Sequence, residues 1–225
     1  MITKLKLSTL LRRLEHPEQA FTLSRWGDGE WRSVLGAHRE GAANCDRHTF
    51  YPEMGQELRK VLQAQPGYLL GMQNFAMRLY GKRILQFLEQ HQLQRLDWID
   101  ADVFHYGAIK GQLDTIIQAV ARRKLLVAGP PHLKRLKQTK LPYWKFVEVP
   151  PRNNFLSLDD TYRRIVAAAE EQTEPLLISL SAGMPAEILC DRLFDRFGTK
   201  HTIIDFGSLW DPLVGVRSRS YMKSK

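Results

Sequence analysis

The stretch Leu176-Leu177-Ile178-Ser179-Leu180-Ser181-Ala182-Gly183-Met184-Pro185-Ala186-Glu187 passes from a short apolar run into small residues, a glycine and a proline. Ile188, Leu189, Leu193 and Phe194 then recur at helical spacing up to Gly198, a favourable helix stop. A second apolar run, Thr202–Phe206, follows at once. Strand, turn, helix and strand in this order predict two parallel strands joined by a crossover helix.

The same alternation extends outward through most of the chain. Phe21–Arg25, Tyr68–Met72, Lys124–Ala128 and Lys145–Val149 read as further strands, with another short one near Trp98–Val103. Helical spacing links Leu5, Leu7, Leu10, Leu11 and Leu14, and again Met54, Leu58, Val61 and Leu62 after Pro52-Glu53. It recurs at Ile84, Leu85, Leu88 and Leu93, and at Ile109, Leu113, Ile116, Ile117 and Val120. Tyr162, Ile165, Val166 and Ala169 mark another helix, with Ser157 or Asp159 as its N-cap. The expected fold is α/β, a mostly parallel sheet of six or seven strands with helices on both faces. No repeat or Pro/Gly/Ser linker divides residues 1–225, so a single domain is expected, ending in a basic tail at about 212–225.

Composition bounds the function. With 44% hydrophobic and 25% charged residues the chain is of the globular class. No apolar run approaches the roughly 18–20 residues that span a bilayer, and the opening residues lack the pattern of a secretory signal, so a cytoplasmic protein is expected. Cys45 and Cys190 stand in unrelated contexts and form neither a disulfide framework nor a zinc motif.

The net charge of +9 is regional. Between Asp114 and Glu148 no acid occurs, yet eight basic residues do: Arg122, Arg123, Lys124, Lys134, Arg135, Lys137, Lys140 and Lys145. Arg217, Arg219, Lys223 and Lys225 follow Asp211, again without an acid. Such regional charge suits an anionic partner or a solvated surface. Arg122, Arg123, Lys134, Arg135, Lys137, Lys140, Arg217 and Arg219 are the candidates for contacting nucleic acid, with Tyr143, Trp144 and Tyr221 placed to stack beside bases.

Parallel sheets bind ligands at the carboxyl ends of their strands. At the first such end stands Arg25-Trp26-Gly27-Asp28-Gly29-Glu30. Two glycines flanking an acid permit a tight turn and close ligand approach. Asp28 and Glu30 suit a hard cation such as Mg²⁺ or Mn²⁺, which takes one or two carboxylates and completes its shell with phosphate oxygens and water. Arg25 could complement a phosphate. Equally, Asp28 and Glu30 could serve only as a cap and as acids favoured at a helix start.

Two further strand ends carry chemistry. Ser181, Ala182, Gly183 and Met184 open a helix whose free N–H groups could face a diphosphate, or form an ordinary turn. Asp205 and Asp211, in Asp205-Phe206-Gly207-Ser208-Leu209-Trp210-Asp211-Pro212, could assist a metal, a ribose or an acceptor hydroxyl. Gln73 and Asn74 follow a strand and could hydrogen-bond a sugar or base, while His105 and Tyr106 lie near Asp100 and Asp102.

The hexapeptide Arg25–Glu30 resembles the R-[FY]-G-D-G-E segment of the GT-D glycosyltransferases, with Trp26 in place of the usual aromatic. Ser181–Ala186 and then Ile203-Ile204-Asp205-Phe206-Gly207 are similar to that family's C-terminal half, and the resemblance covers most of residues 20–210. Members often carry Gly-His after the last strand, where this chain has Gly207-Ser208. The resemblance implies a Rossmann-like domain that uses a nucleoside-diphosphate sugar, UDP-linked by expectation, and a divalent metal. It implies Asp28 and Glu30 as metal and diphosphate ligands, with Arg25, Gly27, Gly29 and Ser181–Met184 around the donor. Asp205 and Asp211 are the expected acceptor-side acids. The acceptor would be a glycan or glycosylated protein, or a hydroxylated base in DNA; the other expectation is a non-catalytic nucleic-acid-binding protein using segments 122–145 and 217–225.

Overall fold

The structure is a computed structural model, and it describes residues 2–39, 42–44 and 47–218. Among these, eight strands form one sheet in which every pair is parallel. They are β1 (Ile2–Thr3), β2 (Thr22–Trp26), β3 (Leu69–Met72), β4 (Trp98–Asp100), β5 (Leu125–Gly129), β6 (Lys145–Glu148), β7 (Leu177–Leu180) and β8 (Thr202–Asp205). Their order across the sheet is β1-β4-β3-β2-β8-β7-β5-β6. The expected strands are all present; the addition is β1, a two-residue edge strand that pairs Ile2 with Trp98.

The helices are α1 (Leu7–Glu15), α2 (Asp28–Val34), α3 (Pro52–Gln63), α4 (Asn74–Gln90), α5 (Val103–Gly107), α6 (Leu113–Ala121), α7 (Leu158–Glu170) and α8 (Ala186–Phe197). The helix expected around Ile109–Val120 begins later, because Gly111 at φ 81° interrupts the preceding turn. Ser157 occupies the N-cap position of α7 but makes no side-chain cap; its hydroxyl donates to the Asn154 carbonyl.

Crossovers between parallel strands are right-handed, so the direction of each step decides which face its helix covers. Steps from β2 to β3, β3 to β4, β6 to β7 and β7 to β8 run one way across the sheet; those from β4 to β5 and β5 to β6 run the other. The apolar clusters follow this division. On the first face Trp31, Leu58, Ile84, Ile165 and Leu189 pack with Trp26, Met72, Ala128 and Ile178. On the second, Leu14, Phe104, Ile116, Leu133 and Trp210 pack with Leu23, Val127, Leu177 and Ile204. Alternate residues of one strand thus enter opposite cores, as a strand buried on both sides requires.

Trp26 belongs to the first core. Its ring lies 5.9 Å from that of Trp31 and 6.2 Å from that of Trp98, and its indole N–H donates to Ser24 Oγ at 3.0 Å. This aromatic trio pins α2 to the sheet directly behind the turn that carries Asp28.

Candidate active site

The topology builds a crevice along the carboxyl edge of the sheet. After β2, β3 and β7 the chain turns onto the first face, whereas after β4, β5 and β8 it turns onto the second. Neighbouring strands whose exits diverge leave a gap between them, the usual ligand position in such sheets. One wall of this crevice is the start of α2 and the turn before α8. The other is the segment following β8 and the short helical turn Pro131–Gln138 after β5.

On the first wall Gly27 precedes Asp28, the first residue of α2. The Gly27 N–H donates to Glu30 Oε2 at 2.8 Å, so one oxygen of Glu30 closes the helix start. A β-carbon on Gly27 would lie 2.9 Å from that oxygen and 3.0 Å from Gln73 Oε1. One on Gly29 would lie 3.0 Å from Met184 Cγ and Sδ, which shows how closely the turn Ser181–Met184 is seated on the Asp28–Glu30 segment. Gly183, at φ +70°, has the His48 ring against it, 2.9 Å from where a β-carbon would stand. Ser181 Oγ donates to the Gly207 carbonyl at 2.6 Å and ties this turn to the one after β8.

Arg25 stands at the floor. Its Nε donates to the Ala101 carbonyl at 3.1 Å, and its guanidinium lies 3.5 Å from Asp102 Oδ1 and 4.0 Å from Asp205 Oδ2. The side chain expected to meet a phosphate is therefore engaged with two acids and largely buried. Asp205 accepts the Gly207 N–H at 2.9 Å, so it braces Arg25 and the following turn. Gln73 joins this floor through Nε2, 3.5 Å from Asp102 Oδ1, while its Oε1 is buried without a hydrogen bond. Asn74, the first residue of α4, is exposed beside it.

Carboxyl groups outnumber the one guanidinium here, and burial favours the protonated form of several. Burial raises the Glu30 pKa to about 7, with the charges of Asp205 and Asp28 adding to the effect. Behind them lies a carboxyl that the sequence did not single out. Glu187, in the first turn of α8, is 0% exposed, and neither of its oxygens has a hydrogen-bond partner. Its pKa is driven well above the usual carboxylate range by burial first, then by Glu30 and Asp205. In sequence it reads as an ordinary acid at a helix start, and nothing there marks it further. Burial likewise raises Asp102, against the opposing charge of Arg25.

Asp28 and Glu30 are a hard oxygen pair in a site rich in carboxyl groups, which fits a divalent cation. Among the described residues no group of three or more His, Cys, Asp or Glu side chains is arranged to hold a metal ion. A cation there would draw the rest of its shell from substrate oxygens and water.

Asp211 is on the other wall. Its Oδ1 lies 2.8 Å from His132 Nε2, and Ser218 Oγ donates to its Oδ2. Asp211 is nearly buried at 5% exposure, whereas the His132 side chain is 30% exposed. His105 is buried and Tyr106 exposed, both in α5.

The basic segment does not form one surface. Arg122 and Arg123 precede β5 and so lie at the amino edge of the sheet, with Lys145, which begins β6. Lys134, Arg135, Lys137 and Lys140 follow β5 at the carboxyl edge, a strand length of roughly 16 Å away. Arg122 pairs with Glu15 at 2.7 Å, Lys134 with Glu148 at 2.6 Å, Lys140 with Asp114 at 3.1 Å, and Lys145 with Glu171. Arg123 corrects the expectation of a nucleic-acid contact: it is 6% exposed and its guanidinium donates to the Leu14 carbonyl at 3.2 Å. Arg217 is exposed; Arg219, Tyr221, Lys223, Lys225 and Cys45 lie outside the described residues.

The fold has solved counterparts. One structure described as the highly conserved domain of unknown function 1792 with a distinct glycosyltransferase fold superposes at a TM-score of 0.63 and 17% identity, covering 93% of this chain and 79% of that one. Another, described as a new glycosyltransferase (DUF1792) from Streptococcus sanguinis, gives 0.65 and 17%, covering 94% and 83%. A selenomethionine form of domain 1792 gives 0.66 and 15%, covering 93% and 79%. No family model and no curated protein matches the sequence.

Proposed function

We propose that this chain is a metal-dependent glycosyltransferase that moves a sugar from a nucleoside-diphosphate donor, UDP-linked, to an acceptor hydroxyl. The observation that carries the reading is the seating of Met184 against Gly29, which makes the carboxylate pair and the small-residue turn before α8 one continuous wall. Asp28 and Glu30 would hold Mn²⁺ or Mg²⁺, and the N–H groups opening α8 would face the diphosphate. Likeness to structures described as glycosyltransferases supports the same reading.

Breaking the bond between the anomeric carbon and the diphosphate leaves negative charge on the departing oxygen. A divalent cation supplies Lewis-acid stabilisation of that charge. The chain's own contribution is to fix the two carboxylates through the Gly27–Glu30 hydrogen bond and the tryptophan trio, and to keep Arg25 clamped between Asp102 and Asp205 beneath them.

The acceptor proposed is a glycan or a glycosylated protein. A DNA track needs contiguous cations on one surface, and the basic residues of segment 122–145 are divided between the two edges of the sheet, four of the eight in ion pairs and Arg123 internal.

The direct binding test is thermal unfolding with UDP, Mn²⁺ or both. The two together should raise Tm beyond the sum of their separate effects, because each completes the other's site. Absence of any shift with both would remove the donor site.

A further inference from the structure

The geometry points to His132 as the base that deprotonates the acceptor, with Asp211 as its positioning residue; this rests on the transferase reading above.

Asp211 receives hydrogen bonds on both oxygens, from His132 Nε2 at 2.8 Å and from Ser218 Oγ. A carboxylate only accepts, so the imidazole proton belongs on Nε2 and Nδ1 is left with its lone pair. That tautomer is the one a general base needs. The two residues are far apart in sequence and are brought together by the loops after β5 and β8. The acid is nearly buried while the ring remains partly open, the arrangement in which an acid orients a working imidazole.

Placement strengthens the case. Asp28, Glu30 and the turn Ser181–Met184 form the first-face wall of the crevice, and His132 with Asp211 belongs to the opposite wall. Gly129, which ends β5, abuts Ser181: a β-carbon there would stand 3.3 Å from Ser181 Cβ. His132 follows Gly129 by three residues, so the segment that carries it leaves the sheet beside the proposed diphosphate turn, on the side away from β2 and its carboxylates. The carboxyl ends of β2 and β5 are three strand spacings apart, roughly 14 Å. A donor held on one wall would thus meet its acceptor from the other. Asp205, the alternative acid, already braces Arg25 and the Gly207 N–H.

In the step assigned, the acceptor O–H gives its proton to Nδ1 of His132. The oxygen's electron pair forms the new bond to the anomeric carbon, and the bond from that carbon to the diphosphate oxygen breaks, its electrons leaving with the nucleoside diphosphate. The imidazolium charge is offset by Asp211 until the proton passes to solvent.

The test uses the full chain, Mn²⁺, and a panel of UDP-sugars with water as the acceptor, comparing the parent with His132→Ala and His132→Gln. Gln keeps a hydrogen bond to Asp211 but offers no base. Both variants should retain Mn²⁺-dependent UDP binding and lose donor turnover by about 10²-fold or more. Azide, an anion that needs no deprotonation, should restore turnover in the variants by forming the glycosyl azide. Parental turnover in either variant overturns the assignment. So does loss of turnover that azide does not restore, which indicates a merely structural pair. If the parent itself neither binds UDP nor turns over any donor, the transferase reading fails and the base role falls with it.

Discussion

The guanidinium of Arg25 lies directly against Gly207: a β-carbon on that glycine would stand 2.5 Å from Nη1. Gly207 also has φ +53°, a conformation costly for any other residue. Gly207→Ala should therefore destabilise the protein by about 1–3 kcal/mol, from backbone strain and displacement of the guanidinium. Urea unfolding measures this; an unchanged midpoint contradicts the packing described.

Removing the cation should be more damaging. In Arg25→Met, Asp102 and Asp205 would remain almost buried with their shared partner gone. A loss on the order of 3 kcal/mol is expected. Arg25→Lys should recover little of it, because one ammonium cannot reach the Ala101 carbonyl and both acids together. Equal stability of Arg25→Lys and the parent in the same denaturation assay would overturn the clamp.

The acid limb of stability should carry the signature of His201. This residue is 0% exposed and accepts the Leu176 N–H on Nδ1 at 3.1 Å. Burial, helped by Lys200 and Arg123, lowers its pKa from 6.5 to about 4. The unfolded chain thus takes up the proton first as pH falls. The stabilisation is intact above about 6.5 and is lost progressively toward about 4, up to about 3 kcal/mol in all. His201→Asn retains an acceptor for Leu176 without the titration. Its stability should fall less than the parent's between neutral pH and the acid end of this window; identical decline would assign the acid sensitivity elsewhere.

Binding to duplex DNA should be weak and shallow in its salt dependence. The cations after β5 and those before it face opposite edges of the sheet, and Arg123 is internal. A salt slope equivalent to about six or more phosphates, measured by fluorescence anisotropy, would contradict this and return DNA to consideration as the acceptor.

What was legible in the sequence was whatever depends on neighbours along the chain. Thr202–Phe206 and Leu176–Leu180 read as strands because they are unbroken apolar runs, and α8 because Ile188, Leu189 and Leu193 repeat before Gly198. Asp28 and Glu30 stood out through their spacing between glycines. The same residues read equally as a metal-binding turn or a helix start, and the Gly27–Glu30 hydrogen bond together with the packing of Trp31 on Trp26 and Trp98 makes them the start of α2. Long-range pairs were invisible: Arg25 with Asp102, and His132 with Asp211, are set by topology alone. Glu187 was hidden for the opposite reason, because its place in the first turn of a helix already explained it.

The proposed role of Asp28 and Glu30 is to organise a nucleotide-sugar site. Its most direct measurement is release of nucleoside diphosphate from a donor panel, with and without Mn²⁺, by the parent and by Asp28→Asn. The parent should show metal-dependent release, reduced by about 10²-fold or more in the variant while its fold remains intact. Release that persists in Asp28→Asn, or that is indifferent to Mn²⁺, would contradict it.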